Sequence, residues 1–126
     1  VSEDTNPWVE FVGPCYTAQS IRRKLGMTIG ELDDATRDLR ILALVADDGS
    51  TLYPTWQVRE GEVIRGLHEI LTILRTGVDD SWTWAQWLVF TPPPDDVNRS
   101  PIDELRGGKT SQVIHDAEHV AHAWAQ

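Results

Sequence analysis

The chain has 126 residues, with 11 basic and 20 acidic side chains and a formal charge of −9. That length suits one compact domain or two small modules, and a hydrophobic content of 40% is enough for a modest core. The charge disfavours non-specific affinity for nucleic acid or anionic membrane. The lone Cys15 excludes an internal disulfide and suits a reducing compartment, and no apolar run approaches the roughly 18 residues that span a bilayer. With no signal peptide opening it, the sequence reads as that of a soluble cytoplasmic protein.

Taken in order, residues 1–14 start acidic and then place Trp8, Val9, Phe11 and Val12 ahead of Gly13-Pro14, an arm expected to dock on the body. Thr17 is a natural N-cap for a helix over Ala18–Leu25. Arg22, Arg23 and Lys24 suit the negative end of that helix's dipole, and Gly26 suits its C-cap. Thr28 then caps a second helix from Ile29 to about Leu39. Two short helices joined by a glycine-containing turn have the spacing of a helix-turn-helix. Behind them, Ile41–Val45 and Thr51–Val58 flank Asp47-Asp48-Gly49-Ser50, a hairpin signal, and Pro54 is expected to place the second strand at a sheet edge. Residues 15–60 thus outline a helix-turn-helix with a β-hairpin wing. They carry 6 basic and 7 acidic groups, the one near-neutral region of the chain.

Residues 61–126 read as a helical module. After the turn at Glu60-Gly61, an amphipathic helix runs to about Arg75, with Val63, Ile64, Leu67, Ile70, Leu71 and Leu74 on one side. Asp80 or Ser81 opens a tryptophan-rich helix through Phe90, halted by Pro92-Pro93-Pro94 and expected to pack antiparallel to the helix before it. Trp84, Trp87 and Leu88 share one of its sides, and Trp82, Ala85 and Val89 take the other. A helix apolar nearly all round is buried all round, either at the centre of a domain or against a partner. A polar linker, Pro92–Arg99, leads to Ser100-Pro101, the N-cap and first residue of a short helix with Asp103 and Glu104 in its first turn. Gly107-Gly108 stops it, and Thr110 or Ser111 opens a last helix whose apolar side is Val113, Ala117, Val120 and Trp124. The expected architecture is mainly α with a small β-hairpin, a winged helix-turn-helix-like module packed on a helical module.

Short motifs carry a resemblance. Trp87-Leu88, Ser100-Pro101-Ile102-Asp103-Glu104-Leu105, Gly107-Gly108 and Val113 resemble the toxin-binding domain of the Xre/MbcA/ParS antitoxins. Tyr16-Thr17, Leu25-Gly26, Arg40-Ile41-Leu42-Ala43-Leu44, Asp48-Gly49 and Leu52-Tyr53-Pro54 resemble the helix-turn-helix fused to that domain in actinobacterial relatives. The resemblance implies an antitoxin of a type II toxin-antitoxin system. Such a protein neutralises a RES-domain, NAD-degrading toxin by protein-protein binding, and it can regulate its own promoter as a homodimer. Trp84, Trp87, Pro101, Asp103 and Glu104 would face the toxin. Where relatives carry a Leu-Gly-type element, this chain has Asp95-Asp96-Val97-Asn98-Arg99.

For DNA, the available cations are Arg22, Arg23, Lys24 and Arg37. Against them the second helix sets Glu31, Asp33, Asp34 and Asp38, carboxylates that repel phosphate and accept only from cytosine amino groups. Two other readings therefore stand beside the antitoxin: a transcriptional regulator without a toxin, and a dimeric interaction module. His115, Glu118, His119 and His122 share a helix side at metal-ligand spacing, but that side lies opposite the apolar one and reads as solvated, so no metal or cofactor is expected. Cys15 has no His near it in sequence, and no phosphate-binding loop or nucleophile motif occurs. An enzyme is not expected.

Overall fold

Thr17 and Thr28 open the first two helices for the same reason. Each is extended, and each turns its hydroxyl onto an N–H that the first helical turn leaves without a partner, those of Ser20 and Glu31, both at 3.1 Å. The computed structural model describes residues 13–90 and 100–126. The expected arm over Trp8–Val12 and the whole of the expected linker Pro92–Arg99 lie outside those residues. The chain divides into two compact units between Val63 and Ile64.

The first unit contains β1 (Cys15–Tyr16), α1 (Ala18–Leu25), α2 (Ile29–Arg37), β2 (Leu44–Val45), β3 (Thr51–Pro54), a 3-10 turn (Thr55–Gln57), β4 (Val58–Arg59) and β5 (Glu62–Val63). Gly26, at φ 69°, ends α1 in the left-handed conformation that glycine adopts without Cβ strain. The chain leaves α2 by the same route, but with Leu39 at φ 62° in the glycine-type position. Arg40 N–H donates to the Ala35 carbonyl at 2.8 Å, and Leu39 N–H to that of Thr36 at 3.2 Å. The helix therefore stops at Arg37, short of the expected end. Ile21, Leu32, Ala35, Ile41 and Tyr53 form the core, with Tyr16, Leu25, Met27 and Val58 packed around it.

Two expectations for the hairpin are corrected. Pro54 does not sit on an edge strand. The sheet order is β1-β3-β2, all antiparallel, so β3 is central, with Cys15 opposite Pro54 and Leu52 opposite Leu44. The proline is tolerated because it is the last residue of the strand, and Thr55 N–H reaches the Pro14 carbonyl at 3.1 Å. The second strand also does not run on to Val58. It breaks into the 3-10 turn, and β4 then pairs with β5 across a two-residue loop, Glu60 at φ 53° and Gly61 at φ 80°. Positive φ at both loop residues is what a tight type I′ hairpin requires.

Gln57 stands inside this unit with no exposed surface. Its Oε1 accepts from Leu42 N–H at 2.7 Å, and its Nε2 donates to the carbonyls of Leu42 at 2.9 Å and Pro54 at 3.2 Å. The amide thus pairs with both backbone groups of Leu42 as a neighbouring strand would. It satisfies a stretch, Ile41–Ala43, that lies outside the sheet.

The second unit contains α3 (Leu67–Gly77), α4 (Ser81–Val89), α5 (Pro101–Arg106) and α6 (Thr110–Trp124). The amphipathic helix starts at Leu67 rather than near Val63, because residues 62–63 belong to β5 and Gly66, at φ 89°, cannot be helical. A side chain at Gly66 would also collide with Thr110 Cγ2 at 2.8 Å. The partner of α3 is chiefly α6, not the tryptophan-rich helix, which packs on α5. Gly77 explains the pairing: a Cβ there would meet the backbone of Ala121, its Cα at 2.8 Å. The buried side of α6 is accordingly Val113, Ala117 and Ala121, a stripe of small residues at four-residue spacing, with Val120 and Trp124 half-buried. On α4 only Trp84, Ala85 and Leu88 are buried. Trp82, Trp87 and Val89 are half-exposed and Phe90 is 49% exposed, so this helix is not covered all round. No helix among the described residues is long and apolar enough to cross a membrane.

Candidate nucleic-acid interface

The pair α1 and α2 presents the cations named from the sequence in two places. Arg22, Arg23 and Lys24 form the last turn of α1. Arg22 is half-buried, its Nε donating to the Met27 carbonyl at 3.3 Å, so it holds the turn between the helices. Lys24 is exposed, with Nζ 6.0 Å from the centre of the Tyr16 ring, and Arg23 is exposed. Arg37 belongs to the last turn of α2 and is bound to Asp34 in an exposed ion pair. That contact, with Asp38 and Asp33 adding their field, raises the guanidinium pKa further. Arg23 and Lys24 thus stand exposed at the end of α1, whereas Arg22 has a structural partner and Arg37 a carboxylate.

The acidic character of α2 is partly neutralised within the helix. Glu31 closes a capping box, its Oε1 accepting from Thr28 N–H at 2.8 Å while Glu31 N–H donates to Thr28 Oγ1. Asp34 pairs with Arg37, and Asp38 with Arg40 at 3.4 Å. All these groups are exposed, so the pairs offset local charge more than they stabilise the fold. Asp33 is exposed and has neither a hydrogen bond nor an ion pair among the described residues. The capping-box spacing Thr28 to Glu31 is legible in the chain and gives Glu31 a local structural role, although its charge remains.

The residues expected to face a protein partner fall into different settings. Trp84 is 2% exposed, with Nε1 donating to the Val78 carbonyl at 2.8 Å, and Pro101 is buried at the first position of α5. Both are interior residues of their unit, so neither offers surface. Ser100 Oγ caps α5 by accepting from Asp103 N–H at 3.3 Å and donating to Asp103 Oδ2 at 2.8 Å, which ties Asp103 to the helix start. Trp87 and Glu104 are half-exposed.

On α6, His115, Glu118, His119 and His122 are exposed, and the His115 and His119 rings meet edge-on, 4.6 Å apart. Among the described residues no three His, Cys, Asp or Glu side chains converge as a metal site. Cys15 donates to the Gly13 carbonyl at 3.6 Å, and burial pushes its thiol pKa up, the reverse of what activates a thiolate.

The first unit is thus a helix-turn-helix-like pair backed by a small antiparallel sheet and a second hairpin, and the second unit is an all-helical one. No family model matches the chain. The DNA-binding protein Rv2175c of Mycobacterium tuberculosis (strain ATCC 25618 / H37Rv) is 25% identical over 120 residues, a span of 86% of this chain and 82% of that protein. The NMR structure of Rv2175c matches with a TM-score of 0.73 at 24% identity, covering 86% of this chain and 81% of that one, which shows the fold. These likenesses run to a DNA-binding protein and not to the Xre/MbcA/ParS antitoxins that the short motifs resemble.

Proposed function

We propose that this chain is a DNA-binding regulator that docks the α1–α2 pair on duplex DNA. The observation that carries the reading is its likeness, over 86% of its length, to a protein named for DNA binding. The helix-turn-helix-like arrangement supports it, as do the exposed Arg23 and Lys24 at the end of α1. A chain of formal charge −9 gains little from the general attraction between cations and phosphates, so its non-specific affinity is weak and base contacts carry a larger share of binding.

The test is fluorescence anisotropy with upstream DNA of its own gene at two salt concentrations. Affinity falls as salt rises, and the double variant Arg23→Ala/Lys24→Ala binds more weakly with a log-log salt slope shallower by about 2, one unit per lost phosphate contact. No binding at low salt, or an unchanged slope in the variant, rejects the reading.

A finer reading adds a protein partner. The second unit retains the Ser100-Pro101-Ile102-Asp103-Glu104-Leu105 motif of the antitoxin resemblance, and α4 leaves Trp87 and Phe90 partly open beside its buried stripe. Large half-exposed aromatic side chains are suited to anchoring an interface. On this reading the partner is a RES-domain toxin or a second copy of the chain. Co-expression with a neighbouring RES-type gene should give co-purification that Trp87→Ala weakens at least ten-fold while the fold survives. Failure to co-purify and to rescue growth removes the toxin from the proposal and leaves DNA binding untouched.

A further inference from the structure

The side chains of α2 are almost all committed. Leu32 and Ala35 are buried, and the Thr36 hydroxyl donates to the Leu32 carbonyl at 2.9 Å. Thr28 and Glu31 hold each other in the capping box, and Arg37 is held by Asp34. The commonest base-specific contact, an arginine fork on guanine, would first require that ion pair to open. What remains is Asp33, a carboxylate repelled by phosphates, and the helix's first two residues, Ile29 and Gly30.

Both of those residues are exposed and neither belongs to the buried core. Ile29 is 51% exposed, one of three large hydrophobic residues so exposed among those described. Gly30 has ordinary helical φ, and a Cβ added there would meet only Thr28 Oγ1, at 3.9 Å. Neither a left-handed turn nor a close neighbour calls for glycine, although glycine weakens a helix relative to alanine. A glycine without internal cause suits a place where another molecule's surface comes close to the backbone. In helix-turn-helix proteins the N-terminal residues of the second helix meet the base edges of the major groove, where an apolar side chain recognises the thymine methyl.

We propose that the first turn of α2 is the base-reading surface, with Ile29 packing on a thymine methyl group and Gly30 allowing the helix backbone to approach the groove floor. This rests on the DNA-binding reading above. It makes the protein a reader of thymine by apolar contact rather than of guanine by charge.

The full chain selects its preferred duplex from a randomised library, and thymines of that duplex are then replaced singly by deoxyuridine, which removes only the methyl group. At one or two positions the replacement should weaken wild-type binding about four-fold, the worth of one buried methyl-sized group. Ile29→Ala should bind the thymine duplex correspondingly more weakly and be indifferent to uracil at those positions. Gly30→Ala should melt at or above the wild-type temperature and yet bind at least ten-fold more weakly. Sequence-specific binding in which uracil costs nothing, in which Ile29→Ala keeps the wild-type uracil sensitivity, or in which Gly30→Ala binds normally, overturns the assignment while leaving DNA binding in place. Failure to select any sequence overturns both.

Discussion

Gln57→Ala should destabilise the first unit by about 3–5 kcal/mol, because it removes both partners of a buried backbone segment at once. Leu42 is 1% exposed and Gln57 not at all, so water cannot replace the lost bonds to the Leu42 N–H and carbonyl without opening the core. Each abandoned buried group costs about 1–3 kcal/mol, and the cavity adds to that. Gln57→Leu fills most of the space but leaves the same groups unpaired, so it should recover only part of the loss. Gln57→Glu is the sharper variant. Its carboxylate can still accept from Leu42 N–H, but it turns an acceptor toward the Leu42 and Pro54 carbonyls, where Nε2 had donated. Burial and that repulsion raise the folded-state pKa of such a glutamate above its unfolded value of about 4.3. Its protonated form restores the donor, so this variant should be most stable below about pH 4 and lose stability as pH rises through the folded pKa. Denaturant titration across pH, with hydrogen exchange of the Leu42 amide, checks both results. A Leu42 amide as protected in Gln57→Ala as in the wild type would show that the side chain is not what holds this segment.

Gly77→Ala should cost the second unit about 3 kcal/mol, although alanine is the better helix former by about 1 kcal/mol. The added Cβ would lie 2.8 Å from Ala121 Cα and 2.9 Å from its carbonyl carbon, and these are backbone atoms that cannot rotate aside. The helices α3 and α6 must separate, loosening Leu74 and Ala117 from a dense interior. The control is Ala121→Gly in the Gly77→Ala background. It removes a side chain but not the obstructing backbone, so it should fail to rescue. Calorimetry of the full chain reads the outcome, and a Gly77→Ala protein melting higher than wild type would mean that propensity outweighs the contact.

Local chemistry made much of this fold legible. Thr17, Gly26, Thr28 and Ser100 act on N–H and carbonyl groups a few residues away, so the helices they bound could be placed from the chain itself. The same local chemistry makes Asp47–Ser50 a turn, with Asp48 accepting from both Ser50 N–H and Ser50 Oγ. The errors have a different origin. The strand β1 is two residues long and exists only through its pairing with β3, and Pro54 became central because of that distant pairing. In the interface region the cations and carboxylates of α1 and α2 are all legible in the sequence, as is the i,i+3 spacing of Asp34 and Arg37, while side-chain geometry shows that this pair forms and that Arg22 holds the turn.

By itself, then, the sequence determined which helices form, the capped starts at Thr17, Thr28 and Ser100 and which residues carry charge, since capping chemistry acts over three or four residues, whereas the end of α2 at Arg37 and the start of α3 at Leu67 did not follow from it. Which faces are covered was decided by the tertiary structure. The absence of a Cβ at Gly77 lets α6 lie close against α3, Gln57 supplies a strand's bonds to Leu42, and α4 is left half-open although its composition asks for full burial. Those outcomes depend on contacts between residues far apart in the chain, and nothing within a few residues of Gly77, Gln57 or Trp87 encodes them.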